Sequence, residues 1–175
     1  LVLMDDITLS EKLTISGIVT IDGAGHTIIR GKTAEHTWYT GTLFNVSGTL
    51  NLNNAVVDGA NNWVLNTSMI DNGTASCADG DKSTYPFIYN NDLPTATAPM
   101  FQNSGTLKIQ NTTIQNHFGV HFNQQGKRDG KEVINCAKGA TLVVDKVKIS
   151  HCASSDAGAI ITAEGGNNAI DIKDS

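Results

Sequence analysis

Apolar side chains in this sequence recur at every second position in short runs, each closed by Gly, Asn or Asp. Such alternation puts one face of a strand inside and the other outside. The runs are also copies of one another, and a repeat governs the whole fold reading. Thr42-Leu-Phe-Asn-Val-Ser-Gly-Thr-Leu-Asn-Leu-Asn-Asn-Ala-Val-Val-Asp58 aligns without a gap on Pro99-Met-Phe-Gln-Asn-Ser-Gly-Thr-Leu-Lys-Ile-Gln-Asn-Thr-Thr-Ile-Gln115. Apolar positions coincide at Leu43/Met100, Phe44/Phe101, Leu50/Leu107, Leu52/Ile109 and Val57/Ile114. A third copy runs from Glu132 to Ile149 with one residue inserted before Thr141. A fourth starts at Gly158 and reaches Ile172, and an irregular first copy spans Ile7 to Arg30.

Each copy reads as two or three strands too short to bury an apolar face alone. The copies must therefore stack, each strand pairing with its counterpart above and below. The expected fold is all-β: a right-handed parallel β-helix, or solenoid, of about five partial rungs, with a column of Leu, Ile, Val and Phe as its core. Asn53, Asn54 and Asn111 are expected at rung corners, where left-handed backbone geometry suits Asn. Residues 1–175 are taken as a single β-helix domain or part of a longer one.

Between the copies lie inserts of unequal length, near residues 31–41, 60–98 and 117–131, with a short one at 151–157. All leave the repeat at the same phase, so they are expected to project from one side. They carry most of the aromatic and His residues: His36, Trp38, Tyr39, Trp63, Tyr85, Phe87, Tyr89, His117 and His121 are the candidate ligand-binding residues. Loops on a rigid scaffold are where binding concentrates, and aromatics give large contact area at low entropic cost. The same aromatics also suit a small core inside the longest insert.

Composition narrows the class of function. The formal charge is −5, with 12 Lys and Arg scattered along the chain, which argues against nucleic acid as a partner. No apolar stretch approaches a membrane span. Cys77, Cys136 and Cys152 are an odd number in no metal-site spacing; free thiols and a Cys136–Cys152 bridge both remain open. No cofactor or metal site is expected: His117 and His121 stand four apart, but Gly119 and the β context oppose the helix that spacing would need.

Gly17-Ile-Val-Thr-Ile-Asp-Gly-Ala-Gly-His-Thr-Ile28, the repeated Ser-Gly-Thr-Leu-x-[Leu/Ile] and Asp156-Ala-Gly-Ala-Ile160 resemble the adhesin-like, pectin-lyase-fold surface proteins of bacteria and archaea. The resemblance implies an extracellular, cell-surface or secreted location and a host glycan or extracellular protein, such as a mucin or immunoglobulin, as partner. It also implies neighbouring rungs or domains in a longer parent chain. The same fold hosts lyases and hydrolases. Those need clustered carboxylates, yet the close acidic pairs along the chain are Asp5-Asp6 and Asp79/Asp81, with no column of carboxylates on the strands. The expected function is therefore a non-catalytic adhesin-type module. A polysaccharide lyase or glycoside hydrolase and a structural spacer are the alternatives.

Overall fold

The structure is a computed structural model that describes residues 1–65, 87–88, 93–120, 131–154 and 160–175. Among them every regular element is a strand. Fifteen of the strands form three sheets of five. The first sheet runs Ile7–Leu9, Thr27–Arg30, Val56–Asp58, Thr113–Gln115, Lys148–Ser150. In the second, Leu13–Ile15, Phe44–Val46, Phe101–Asn103, Ile134–Cys136 and Ile161–Ala163 lie side by side. The third holds Ile18–Asp22, Thr49–Asn53, Thr106–Gln110, Thr141–Asp145 and Ala169–Lys173. The chain visits second, third and first sheet in that order, then begins again. Every pairing within these sheets is parallel and in register, an arrangement compatible with a β-helix or solenoid.

The repeat positions matched in the sequence are the positions that pair. Phe44 lies beside Phe101, Leu50 beside Leu107, Leu52 beside Ile109 and Val57 beside Ile114. The inward columns are Leu13-Phe44-Phe101-Ile134-Ile161, Val19-Leu50-Leu107-Leu142-Ile170, Ile21-Leu52-Ile109-Val144-Ile172 and Ile7-Ile28-Val57-Ile114-Ile149. Their middle members are fully buried. At the last copy the columns stay open, with Ile170 and Ile172 exposed at 43% and 52%.

Two corners explain why the copies keep step. Between the second and third sheets, Gly17, Gly48 and Gly105 stack so closely that a Cβ on Gly48 would strike the Gly17 carbonyl, and one on Gly105 the Gly48 carbonyl. Backbone, not side chain, fills that corner. At the end of the third-sheet strands, Ala24, Asn54, Asn111, Lys146 and Asp174 all take the left-handed conformation, with φ from 45° to 53°, the first four leading into the first sheet. In the three middle copies that geometry turns the N–H toward the next copy: Asn54 N donates to Gln110 O, Asn111 N to Asp145 O and Lys146 N to Lys173 O, at 3.2, 3.1 and 3.0 Å. Asn is at home there, Ala and Lys less so.

Two sequence expectations need correction. Asn53 is the last residue of a strand, and Asn54 alone makes the turn. In the third copy, Phe101 pairs with Ile134 but Thr106 with Thr141, so the insertion before Thr141 is two residues long, not one. The wider turn is closed by Ala140 N donating to Ala137 O at 3.0 Å, with Gly139 at φ 82°.

Candidate functional site

The chain passes from the first sheet to the second five times, once by the short turn 10–12 and four times by longer inserts, residues 31–43, 59–100, 116–133 and 151–160, all at one corner of the stack. Their described parts are bonded to one another rather than hanging separately. Thr97 N donates to Thr40 O at 2.9 Å, Ala96 N to Phe118 O at 2.7 Å and Ala153 N to His117 O at 2.8 Å. Phe118–Gly119 and Ala153–Ser154 extend this into a short parallel pair. The insert bases thus carry the stacking of the copies outward, and whatever they display rests on a fixed floor.

The first insert is a small hairpin. Lys32 and Trp38 face each other in an antiparallel bridge, and Thr33 N donates to Thr37 O at 2.7 Å. His36 sits at the tip with φ 60°, exposed. The Lys32 ammonium lies 5.3 Å from the centre of the Trp38 ring, a cation–π pair at the surface. Tyr39 turns the other way, its hydroxyl donating to Thr42 O at 2.8 Å. Beside this hairpin runs an open groove of about 510 Å³ lined by Thr8, Leu9, Ser10, Glu11, Thr33 and Ala34.

Arg30 fastens the hairpin from below. Its side chain is 1% exposed, and Nη1 donates to Tyr39 O at 2.8 Å and Gly41 O at 2.7 Å. Burial lowers its pKa to about 10, partly offset by the Tyr39 hydroxyl, so it stays charged at neutral pH. Burial in turn raises the Tyr39 phenol against the pull of Arg30. One copy along, Asp58 accepts from Ala60 N at 2.7 Å through one oxygen, and from Gln115 Nε2 and Asn116 Nδ2, each at 2.8 Å, through the other. A carboxylate holding three donors is a structural clamp on the turn.

Trp63 ties three inserts together. Its Nε1 donates to His151 O at 2.9 Å, and its ring lies 6.1 Å from Phe118 and 6.3 Å from the His151 ring. With Phe118, Val120 and Ala153 it makes a second, small apolar cluster. His117 is 1% exposed, and its Nε2 lies 3.0 Å from Lys131 O. Because a carbonyl only accepts, Nε2 carries the proton in the neutral ring. Burial pulls the His117 pKa from 6.5 down to about 4; the Lys131 carbonyl opposes this and the Arg30 charge adds to it.

Of the residues picked from sequence, His36, Trp38 and Tyr39 thus share one hairpin, while Trp63 and His117 serve the floor beneath the inserts. Phe87 lies in a short strand paired with Leu65 in the antiparallel ribbon Val64–Leu65 and Phe87–Ile88. Tyr85, Tyr89 and His121 lie outside the described residues, as does Cys77. Cys136 and Cys152 are free thiols; burial raises both, Cys152 to about 11, which keeps them protonated and unreactive.

The sequence reading missed two groups. Arg30 gave no signal because nothing in its neighbourhood marks a strand-end Arg as buried. Glu132 and Glu164 are far apart in the chain, yet are linked through Thr162 and Asn135 beside the second sheet. Asn135 Nδ2 donates to Glu164 Oε1 and to Thr162 Oγ1, each at 3.0 Å, and Thr162 Oγ1 donates to Glu132 Oε1 at 2.8 Å. Gln102 Nε2 extends the ladder to Asn135 Oδ1 at 2.8 Å. Only the register Asn135↔Thr162 reveals this pair.

Among the described residues no group of three His, Cys, Asp or Glu is placed to hold a metal ion, and no helix is long and apolar enough to cross a membrane. Comparison with protein-family models, with curated proteins and with solved structures returned no match.

Proposed function

We propose that this chain is a right-handed parallel β-helix of the adhesin-like, pectin-lyase-fold kind, acting outside the cell as a non-catalytic binding module whose insert face engages a glycan of a host surface. The observation that carries the reading is the common exit of all the inserts at one corner, over a floor of backbone hydrogen bonds. A scaffold that holds loops in fixed relative positions suits recognition better than it suits a spacer. Carbohydrate is favoured over protein by the groove beside the first hairpin. Thr8, Ser10 and Thr33 offer hydroxyls and Glu11 a carboxylate, with the Trp38 ring on the same insert. Such polar groups, with an aromatic ring on the hairpin that forms part of the groove wall, suit the hydroxyls and the apolar face of a sugar ring.

The test is a screen of the purified protein against arrayed glycans, mucins and extracellular proteins including immunoglobulins, with release of reducing or unsaturated sugars measured alongside. Retention on a glycan without sugar release supports the proposal. Sugar release would turn the reading to an enzyme, retention on proteins alone to a protein-binding module, and silence throughout to a spacer.

A further inference from the structure

Among the described residues, three buried polar atoms at the insert corner have no hydrogen-bond partner: Arg30 Nη2, Asn61 Oδ1 and His117 Nδ1. Their side chains come from three successive copies, and the residues are 1%, 0% and 1% exposed. They belong to one neighbourhood. A Cβ on Gly59 would strike the Asn116 carbonyl and stand 2.9 Å from the His117 Cα. Asn61 N donates to Asn116 O at 3.1 Å. Ile29 pairs with Asp58 and Asp58 with Gln115, so the strand ends that carry Arg30, Gly59 and Asn116 stand side by side.

The partners already present fix what each atom lacks. Arg30 Nη2 is a donor. Asn61 Nδ2 donates to Pro94 O at 3.0 Å, so its Oδ1 is an acceptor. His117 Nε2 faces Lys131 O at 3.0 Å and carries the ring proton, so Nδ1 is an acceptor too. A buried polar atom left unpaired costs about 1–3 kcal/mol, more when charged, and native interiors meet that need with ordered water making about three bonds.

We propose that Arg30, Asn61 and His117 form an internal site for one water molecule, which accepts from Arg30 Nη2 and donates to Asn61 Oδ1 and His117 Nδ1. The inventory matches water and no simple ion: an anion would face two acceptors, a cation the guanidinium. The water joins the first, second and third copies directly beneath the inserts and completes the floor on which they rest. The site stands whether or not the insert face binds a glycan.

Magnetic relaxation dispersion of water oxygen-17 counts long-lived internal waters, and a high-resolution crystal structure locates them. His117→Phe removes the Nδ1 acceptor and loses one long-lived water relative to the wild-type protein. His117→Gln keeps it, because its amide donates toward Lys131 O and its oxygen accepts. The wild-type crystal shows one water within hydrogen-bond distance of all three atoms, and decides the matter even where a variant fails to fold. Pairing of these atoms with other protein groups would overturn the proposal. So would a bromide peak at the site in crystals grown from bromide, or an unchanged water count in His117→Phe.

Discussion

Phe44 and Phe101 lie ring over ring, centroids 4.8 Å apart and planes 8° apart, at the same position of two copies whose strands pair in register. Identical residues stack because the copies superpose along the sheet, at the spacing neighbouring strands impose. The pair sits fully buried in the second sheet's column, between Leu13 on one side and Ile134 on the other.

Truncating the middle of that column should therefore be severe. Phe101→Ala removes a fully buried ring together with its stacking partner's contact, and should lower unfolding free energy by about 3–5 kcal/mol in a urea titration. Phe101→Leu should cost clearly less, because most of the apolar volume stays.

The glycine corner predicts a contrast between two identical substitutions. Gly105→Ala drives a methyl into the Gly48 carbonyl and should destabilise by about 1–3 kcal/mol. Gly17→Ala meets nothing within 4 Å and should stay within about 0.5 kcal/mol of wild type. Thermal melts of the two variants side by side check this.

The left-handed corner predicts a gain. Lys146 occupies with φ 53° the position that Asn54 and Asn111 fill in the preceding copies. Lys146→Asn should keep the bond from its N–H to Lys173 O and raise stability by about 0.5–1 kcal/mol, read as a higher melting temperature.

His117 predicts how stability depends on pH. Its pKa is about 4 in the fold against 6.5 for the free side chain, so the unfolded chain binds the proton more readily. Stability from this group is complete above pH 6.5 and is lost as pH falls toward about 4, in total on the order of 3 kcal/mol. Carboxylates titrate in the lower part of this window, so the variant His117→Gln is the reference. The difference between wild type and His117→Gln in urea midpoint should shrink, or reverse in favour of the variant, between pH 7 and pH 4.

The sheets were legible in the sequence because in-register stacking turns the fold into an alignment: residues that match by eye, such as Leu52 and Ile109, are residues that pair. The common exit of the inserts followed from the same phase. What the alignment could not show is which insert residues face inward. His117 looked like a loop histidine, yet it is fully buried, with its ring against the Lys131 carbonyl. Trp63 looked like a ligand platform, but its indole is held by the His151 carbonyl, a partner 88 residues away. Glu132 and Glu164 are joined through Thr162 and Asn135 only once the third and fourth copies are set in register. Contacts between non-repeating residues leave no periodic trace.

The most direct test of the account is a comparison of two surface variants on whichever glycan the array identifies. One carries His36→Ala and Trp38→Ala on the first insert; the other carries Thr20→Ala and Lys108→Ala on the outer face of the third sheet. The account predicts that affinity falls at least about tenfold in the first, near 1.4 kcal/mol, and is unchanged in the second. Undiminished binding by the insert variant, with loss in the sheet variant, would contradict it.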